Sequence, residues 1–134
     1  MNMPILALYS GLLGLILIYL SYNVVGNRKK FEVGVGDGGN HDLRRAIRVH
    51  GNFTEYVPIA LILLAVFETN LGSSLIAHIA GITLVVGRLL HAYGLGKTVK
   101  ASSSRVLGVL LTWIVIVGLA GFNIYPFVAN QLLS

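Results

Sequence analysis

Four long apolar runs divide the chain, and charge and glycine gather in the short segments between them. The first extends from Pro4 to Val25 without a charged side chain, about the 20 residues that an α-helix needs to cross the hydrocarbon core of a bilayer. Within it Ala7 and Gly11, and Ser10 and Gly14, stand four apart and are small enough to let another helix approach closely. The second run begins as a charged helix near Asp42, turns apolar from Val57 to Phe67, and is ended by Glu68, Asn70 and Gly72. The third runs from about Leu75 to Tyr93, closed by Gly94 and Gly96, and the fourth from Arg105 to about Val128, with Pro126 at a fraying end. The pattern predicts one all-α integral membrane domain, a four-transmembrane-helix bundle with spans over 4–25, 42–68, 75–93 and 105–128.

Composition agrees. The 134 residues are 55% hydrophobic and 11% charged, far from the roughly 25% charged residues of a soluble protein, and four spans leave no room for a separate soluble domain. Cysteine is absent, so thiol chemistry needs a thiol brought by a ligand, and no metal site is expected. The net charge of +5 sits in short clusters beside the apolar runs instead of a stripe with interleaved aromatics, which points to membrane topology and away from nucleic acid. Arg28, Lys29, Lys30, Arg44 and Arg45 separate spans one and two, and Lys97, Lys100 and Arg105 separate three and four, while Glu68 to Ser74 has neither Lys nor Arg. The positive-inside rule places both basic loops in the cytoplasm and both termini outside. The first basic residue follows the first apolar run and no small-x-small cleavage site precedes a mature domain, so that run is expected to be retained.

Two motif matches carry no chemistry. Gly34, Gly36 and Gly39 satisfy G-x-G-x-x-G, but no buried strand precedes them and a βαβ unit has no room, so they read as a flexible loop. Asn52-Phe53-Thr54 matches a glycosylation sequon at the cytoplasmic membrane edge, where glycosylation is not expected.

The informative polarity lies on the second span. At about 100° per residue, Arg45, Arg48, Asn52 and Glu55 fall within an arc of about 80°, and Arg44 and Tyr56 widen it to about 120°. A charge near the centre of a spanning helix costs about 2.5 to 3.5 kcal/mol even on the lenient insertion scale, so such groups face a bundle interior or a wet cavity. Arg48 and Glu55 can simply pair with each other; Asn52, Tyr56 and two more arginines on the same face favour a binding site. The third span adds Arg88 and His91, followed by Tyr93, while His78 near its other end reads as structural. The face suits a small zwitterionic anion, with arginines for carboxylates, Glu55 for an ammonium, Asn52 for an amide and Tyr56 for a hydroxyl contact. A tripeptide with two carboxylates and one amine fits.

The segment from Arg48 to Pro58, Arg-x-x-x-Asn-x-x-Glu-Tyr-x-Pro, closely resembles the second-helix signature of the MAPEG family, the membrane-associated proteins in eicosanoid and glutathione metabolism, and Gly87-Arg88-Leu89-Leu90-His91 resembles its third-helix segment. The resemblance spans essentially the whole chain and is nearest to the small bacterial members. It implies a homotrimer of the inner membrane that binds glutathione between subunits near the cytoplasmic side, and conjugates its thiol to lipophilic electrophiles or reduces hydroperoxides. Carried over, Arg48, Asn52, Glu55 and Tyr56 match glutathione-binding positions, and Arg88 and His91 match third-helix positions of the same site. Arg45 and Tyr93 are additional candidates. Some members place a tyrosine four residues after the position of His91, where this chain has Leu95, and Tyr93 is in another helical phase.

The family's thiol-activating arginine at the start of the fourth helix has one candidate, Arg105, the expected catalytic residue. Ser102, Ser103 and Ser104 precede it as N-cap candidates, so a guanidinium, a hydroxyl and the positive end of a helix dipole can converge on one sulfur. Arg105 is equally the anchor that the positive-inside rule expects there. The leading expectation is a glutathione-dependent transferase or peroxidase. Its rivals are a non-catalytic small-anion binder or scaffold and a small transporter or proton-conducting subunit, for which the outer halves of the spans supply only His78 and Glu68.

Overall fold

The computed structural model of the chain describes residues 2–70, 72–97 and 102–131; Lys100, counted above in the second basic loop, and Ser134 lie outside them. The described residues form four helices, α1 (Pro4–Phe31), α2 (His41–Asn70), α3 (Ser74–Lys97) and α4 (Ser103–Gln131), all long and apolar enough to cross a membrane. In α1, 28 residues at about 1.5 Å rise reach about 42 Å, the full bilayer with its headgroup layers. Helices α2 and α3 pack together, α1 rests on both from one side and α4 on both from the other, and α1 and α4 do not meet among the described residues.

Each helix outruns the apolar run that predicts it. Past Val25, α1 continues to Phe31 because Arg28, Lys29 and Lys30 occupy its last turn, where cations offset the negative end of the helix dipole. It stops at Glu32, whose left-handed φ of 55° turns its N–H back to the carbonyls of Arg28 and Lys29. The glycine-rich loop that follows folds around Arg28, whose guanidinium donates to the carbonyls of Val33, Gly34 and Gly36 at 3.3, 3.1 and 3.0 Å. A salt bridge from Arg44, aided by the Gly39 N–H, holds the Asp37 carboxyl below the usual aspartate range. Gly94 and Gly96 do not close α3, and Pro126 lies within α4.

The buried residues recur at helical spacing, as in Phe53, Val57, Ala60, Leu64 and Phe67 of α2 against Tyr9 and Leu13 of α1 and Leu84 of α3. Large apolar side chains such as Leu15, Ile18, Ile114 and Val117 point outward, the arrangement that lipid solvation favours. Lipid tails are as apolar as leucine, so close packing, not water exclusion, must hold the helices together. Glycine supplies it: a Cβ on Gly81 would stand 2.2 Å from the Tyr9 ring, and one on Gly108 would stand 2.5 Å from the Gly87 carbonyl oxygen and the His91 nitrogen.

Candidate functional site

On α2, Arg48 lies 3.4 Å from Glu55, and both side chains are more than half exposed. One turn away, Asn52 faces α3, where its side-chain oxygen accepts from Arg88 at 2.8 Å and its carbonyl accepts from the same guanidinium nitrogen at 3.4 Å. Arg88 is only 2% exposed and lies 5.6 Å from the centroid of the Tyr56 ring. Its Nε and second terminal nitrogen have no hydrogen-bond partner among the described residues. A buried guanidinium is tolerable only with acceptors or an aromatic face; Asn52 supplies two acceptors and Tyr56 the aromatic face.

The α3–α4 crossing brings the remaining groups together. A Cβ on Gly94 would stand 2.6 Å from the Arg105 nitrogen and 2.7 Å from the Ser102 hydroxyl, so only glycine admits the start of α4. There the Ser102 hydroxyl caps the helix, accepting the Arg105 N–H at 3.4 Å. The Arg105 carbonyl lies 3.2 Å from His91 Nδ1. A carbonyl only accepts, so Nδ1 carries the proton, and in the neutral ring Nε2 is left as an acceptor; it is buried without a partner among the described residues.

Arg44, Arg45, Arg48 and Asn52 of α2, His91 and Leu95 of α3, and Arg105 of α4 line one cavity of about 210 Å³. Five residues expected from sequence thus converge from three helices. Arg88 and Tyr56 stand behind Asn52, and Glu55 stands at the rim beside Arg48. Tyr93 lies apart: it lines a larger cleft on the other side of α3, and its hydroxyl accepts from Lys97. Arg45 borders both hollows and donates to Asp42 and to the Lys97 carbonyl.

The fold extends what the sequence places at three residues. Arg44, which only widened the polar arc, lines the cavity; so does Leu95, in place of a tyrosine hydroxyl. Glu68, expected to end a span, receives the N–H groups of Ile5 and Leu6 at 3.0 and 2.7 Å and so caps α1, which has no side-chain cap of its own. No local signal in the sequence marks a cap 62 residues away. His78, read as structural, lies 3.0 Å from the Tyr9 hydroxyl. His50, inside the signature segment, lies 3.0 Å from the Ser21 hydroxyl of α1. That hydroxyl's proton goes to the Leu17 carbonyl, so His50 Nε2 is the donor.

Two relatives, both called inner membrane protein YecN, come from Escherichia coli strains K12 and O6:H1. Each is 47% identical over 88 residues, 66% of this chain and 67% of the relative. The MAPEG family model matches residues 6–125, a stretch that includes the whole α2 signature and the start of α4. Four membrane-long helices and inner-membrane relatives make the chain a multi-pass protein of the inner membrane, and with a match over nearly its full length it belongs to the MAPEG family.

Proposed function

We propose that the chain binds glutathione at the cytoplasmic end of α2 and directs its thiol onto lipophilic electrophiles or hydroperoxides, as a transferase or peroxidase. The supporting observation is the convergence of four arginines, Asn52 and His91 on one cavity. Guanidinium groups match carboxylates in bidentate geometry, and glutathione carries two. With its side-chain oxygen engaged by Arg88, Asn52 offers its amide N–H to a ligand, and Glu55 at the rim offers a carboxylate to an ammonium. Glutathione supplies the nucleophilic thiol; the chain's task is to hold and ionise it. A thiol of pKa about 8.5 is only a few per cent ionised at neutral pH. Arg105 and the capped start of α4 favour the anion, and His91 Nε2 offers an acceptor for the thiol proton.

A homotrimer is part of the proposal. The cavity of about 210 Å³ is smaller than the 300–1,000 Å³ typical of small-molecule sites, and Arg48 and Glu55 face outward beside it, so a neighbouring copy would complete the walls. Lipophilic substrate would then arrive from the bilayer between subunits. A conducting path finds less support, because in the other half of the bundle Glu68 caps α1 and His78 is held by Tyr9.

Calorimetric titration of the detergent-solubilised protein with glutathione tests the reading. Binding is expected, and Arg48→Ala or Glu55→Ala should weaken it about ten- to hundredfold, the worth of one charge-assisted contact of about 1.5 to 3 kcal/mol. Unchanged affinity in both variants would sink the assignment. Binding without turnover on several electrophiles would instead favour the non-catalytic small-anion binder.

A further inference from the structure

A second hollow, about 710 Å³ in volume, opens between α1, α2 and α3. Its walls are apolar, with Ile16 and Leu20 from α1, Val49 from α2, and Leu90 and Ala92 from α3. Its mouth is polar, with Asn23, Asn27, Arg45 and Tyr93. From Ile16 to Asn27 the α1 axis rises about 17 Å at 1.5 Å per residue, roughly half of a 30 Å hydrocarbon core. The cleft therefore has the depth of a single leaflet, running from mid-membrane to headgroup level on the side of the basic loops. An adjoining hollow of about 340 Å³ shares Tyr19, Asn23 and Asn27 with it and adds Lys30.

Charge identifies the occupant. Arg45 lines the mouth and is paired there with Asp42, the single acid lining the cleft; Lys30 lines the adjoining hollow, and Lys97 donates to the hydroxyl of Tyr93 at the rim, so cations outnumber acids around the opening. Arg45 Nε is buried without a partner among the described residues. A leaflet-deep apolar cleft with a cationic rim matches one acyl chain below an anionic headgroup. We propose that the cleft holds an acyl chain of an anionic phospholipid of the cytoplasmic leaflet, with its phosphate at Arg45 and Lys30. The inference rests on this cleft and the hollow adjoining it; Arg45 also borders the smaller cavity, and a test without thiol lets the two readings fail separately.

Native mass spectrometry of the whole protein in mild detergent, without thiol, tests it with phosphatidylglycerol and phosphatidylcholine of identical chains. The wild type should retain one phosphatidylglycerol per chain in preference to phosphatidylcholine. Lys30→Gln should cut that preference about fivefold, the worth of one interfacial lysine, and Ala92→Phe, which fills the cleft, should lose both lipids. Equal retention of the two lipids by the wild type, or undiminished phosphatidylglycerol on a folded Ala92→Phe protein, would overturn the proposal. Diazirine-labelled phosphatidylglycerol provides a test on the wild type alone: crosslinks at Leu20 and Leu90 are expected, and labelling confined to the outer face of α4 overturns it.

Discussion

Asn52 sits midway between a ligand contact and a structural one. In sequence it stands in the polar arc as an amide for a ligand; in the fold its oxygen serves Arg88, which has no acid within reach among the described residues, and only its N–H remains for the cavity. Arg105 combines roles differently. Its backbone carbonyl orients His91 while its side chain lines the cavity, so a side-chain substitution separates the two. In Arg105→Leu the carbonyl still holds the imidazole, and glutathione should still bind through the α2 face. The ultraviolet thiolate absorbance of the bound ligand at neutral pH should fall, and turnover should drop about tenfold or more, since each unit of lost pKa depression is worth about 1.4 kcal/mol. Retained thiolate signal and turnover would leave Arg105 as a membrane anchor and move the search to His91.

Helix contacts in this bundle are set by what is small or capped. Gly94 and Gly108 let α3 and α4 meet backbone to backbone, and that meeting delivers Arg105 to His91. At Gly108 a Cβ would collide with backbone, not with the end of a flexible side chain, so Gly108→Ala has to separate the helices. Overpacking of this kind costs about 1–3 kcal/mol. The variant should unfold several degrees lower than the wild type, followed by circular dichroism in detergent, and should bind glutathione more weakly although the glycine is no ligand. An unchanged melting temperature would show that the crossing is looser than these distances require. At the opposite end Glu68 does for α1 what Ser102 does for α4, accepting N–H groups of a first turn, here from another helix.

For the whole molecule, orientation and assembly follow from charge and from what a single chain leaves open. The described basic residues of both loops, Arg28 to Arg45 and Lys97 with Arg105, lie at one end of the bundle, so a reporter fused after Ser134 should be exposed on the outer side of the membrane; a cytoplasmic signal would reverse the orientation and put the candidate cavity on the other face. Arg48 and Glu55, more than half exposed on a spanning helix, would face lipid in a monomer at a cost of several kcal/mol. Mass measurement in mild detergent should therefore find trimers at micromolar concentration. A monomer as the sole species would count heavily against a site completed by a neighbour.

The number and order of the helices and the polar arc from Arg45 to Tyr56 were legible in the chain itself, because apolar length and helical periodicity are local properties that a bilayer reads directly. The α2 motif was legible for the same reason, as a spacing on one helix. Helix ends were less so: the apolar run stops at Val25 and α1 at Phe31, since a basic last turn continues a helix that hydropathy has already ended. Which polar residues share a cavity was decided only by packing. Tyr93 and His91 are two residues apart yet face different hollows, Glu68 caps a helix 62 residues away, and Arg105 reaches His91 only because Gly94 and Gly108 have no side chains. Such relations depend on how closely helices approach and at what rotation, and in lipid those are set by steric fit and hydrogen bonding between helices instead of by any pattern within one of them.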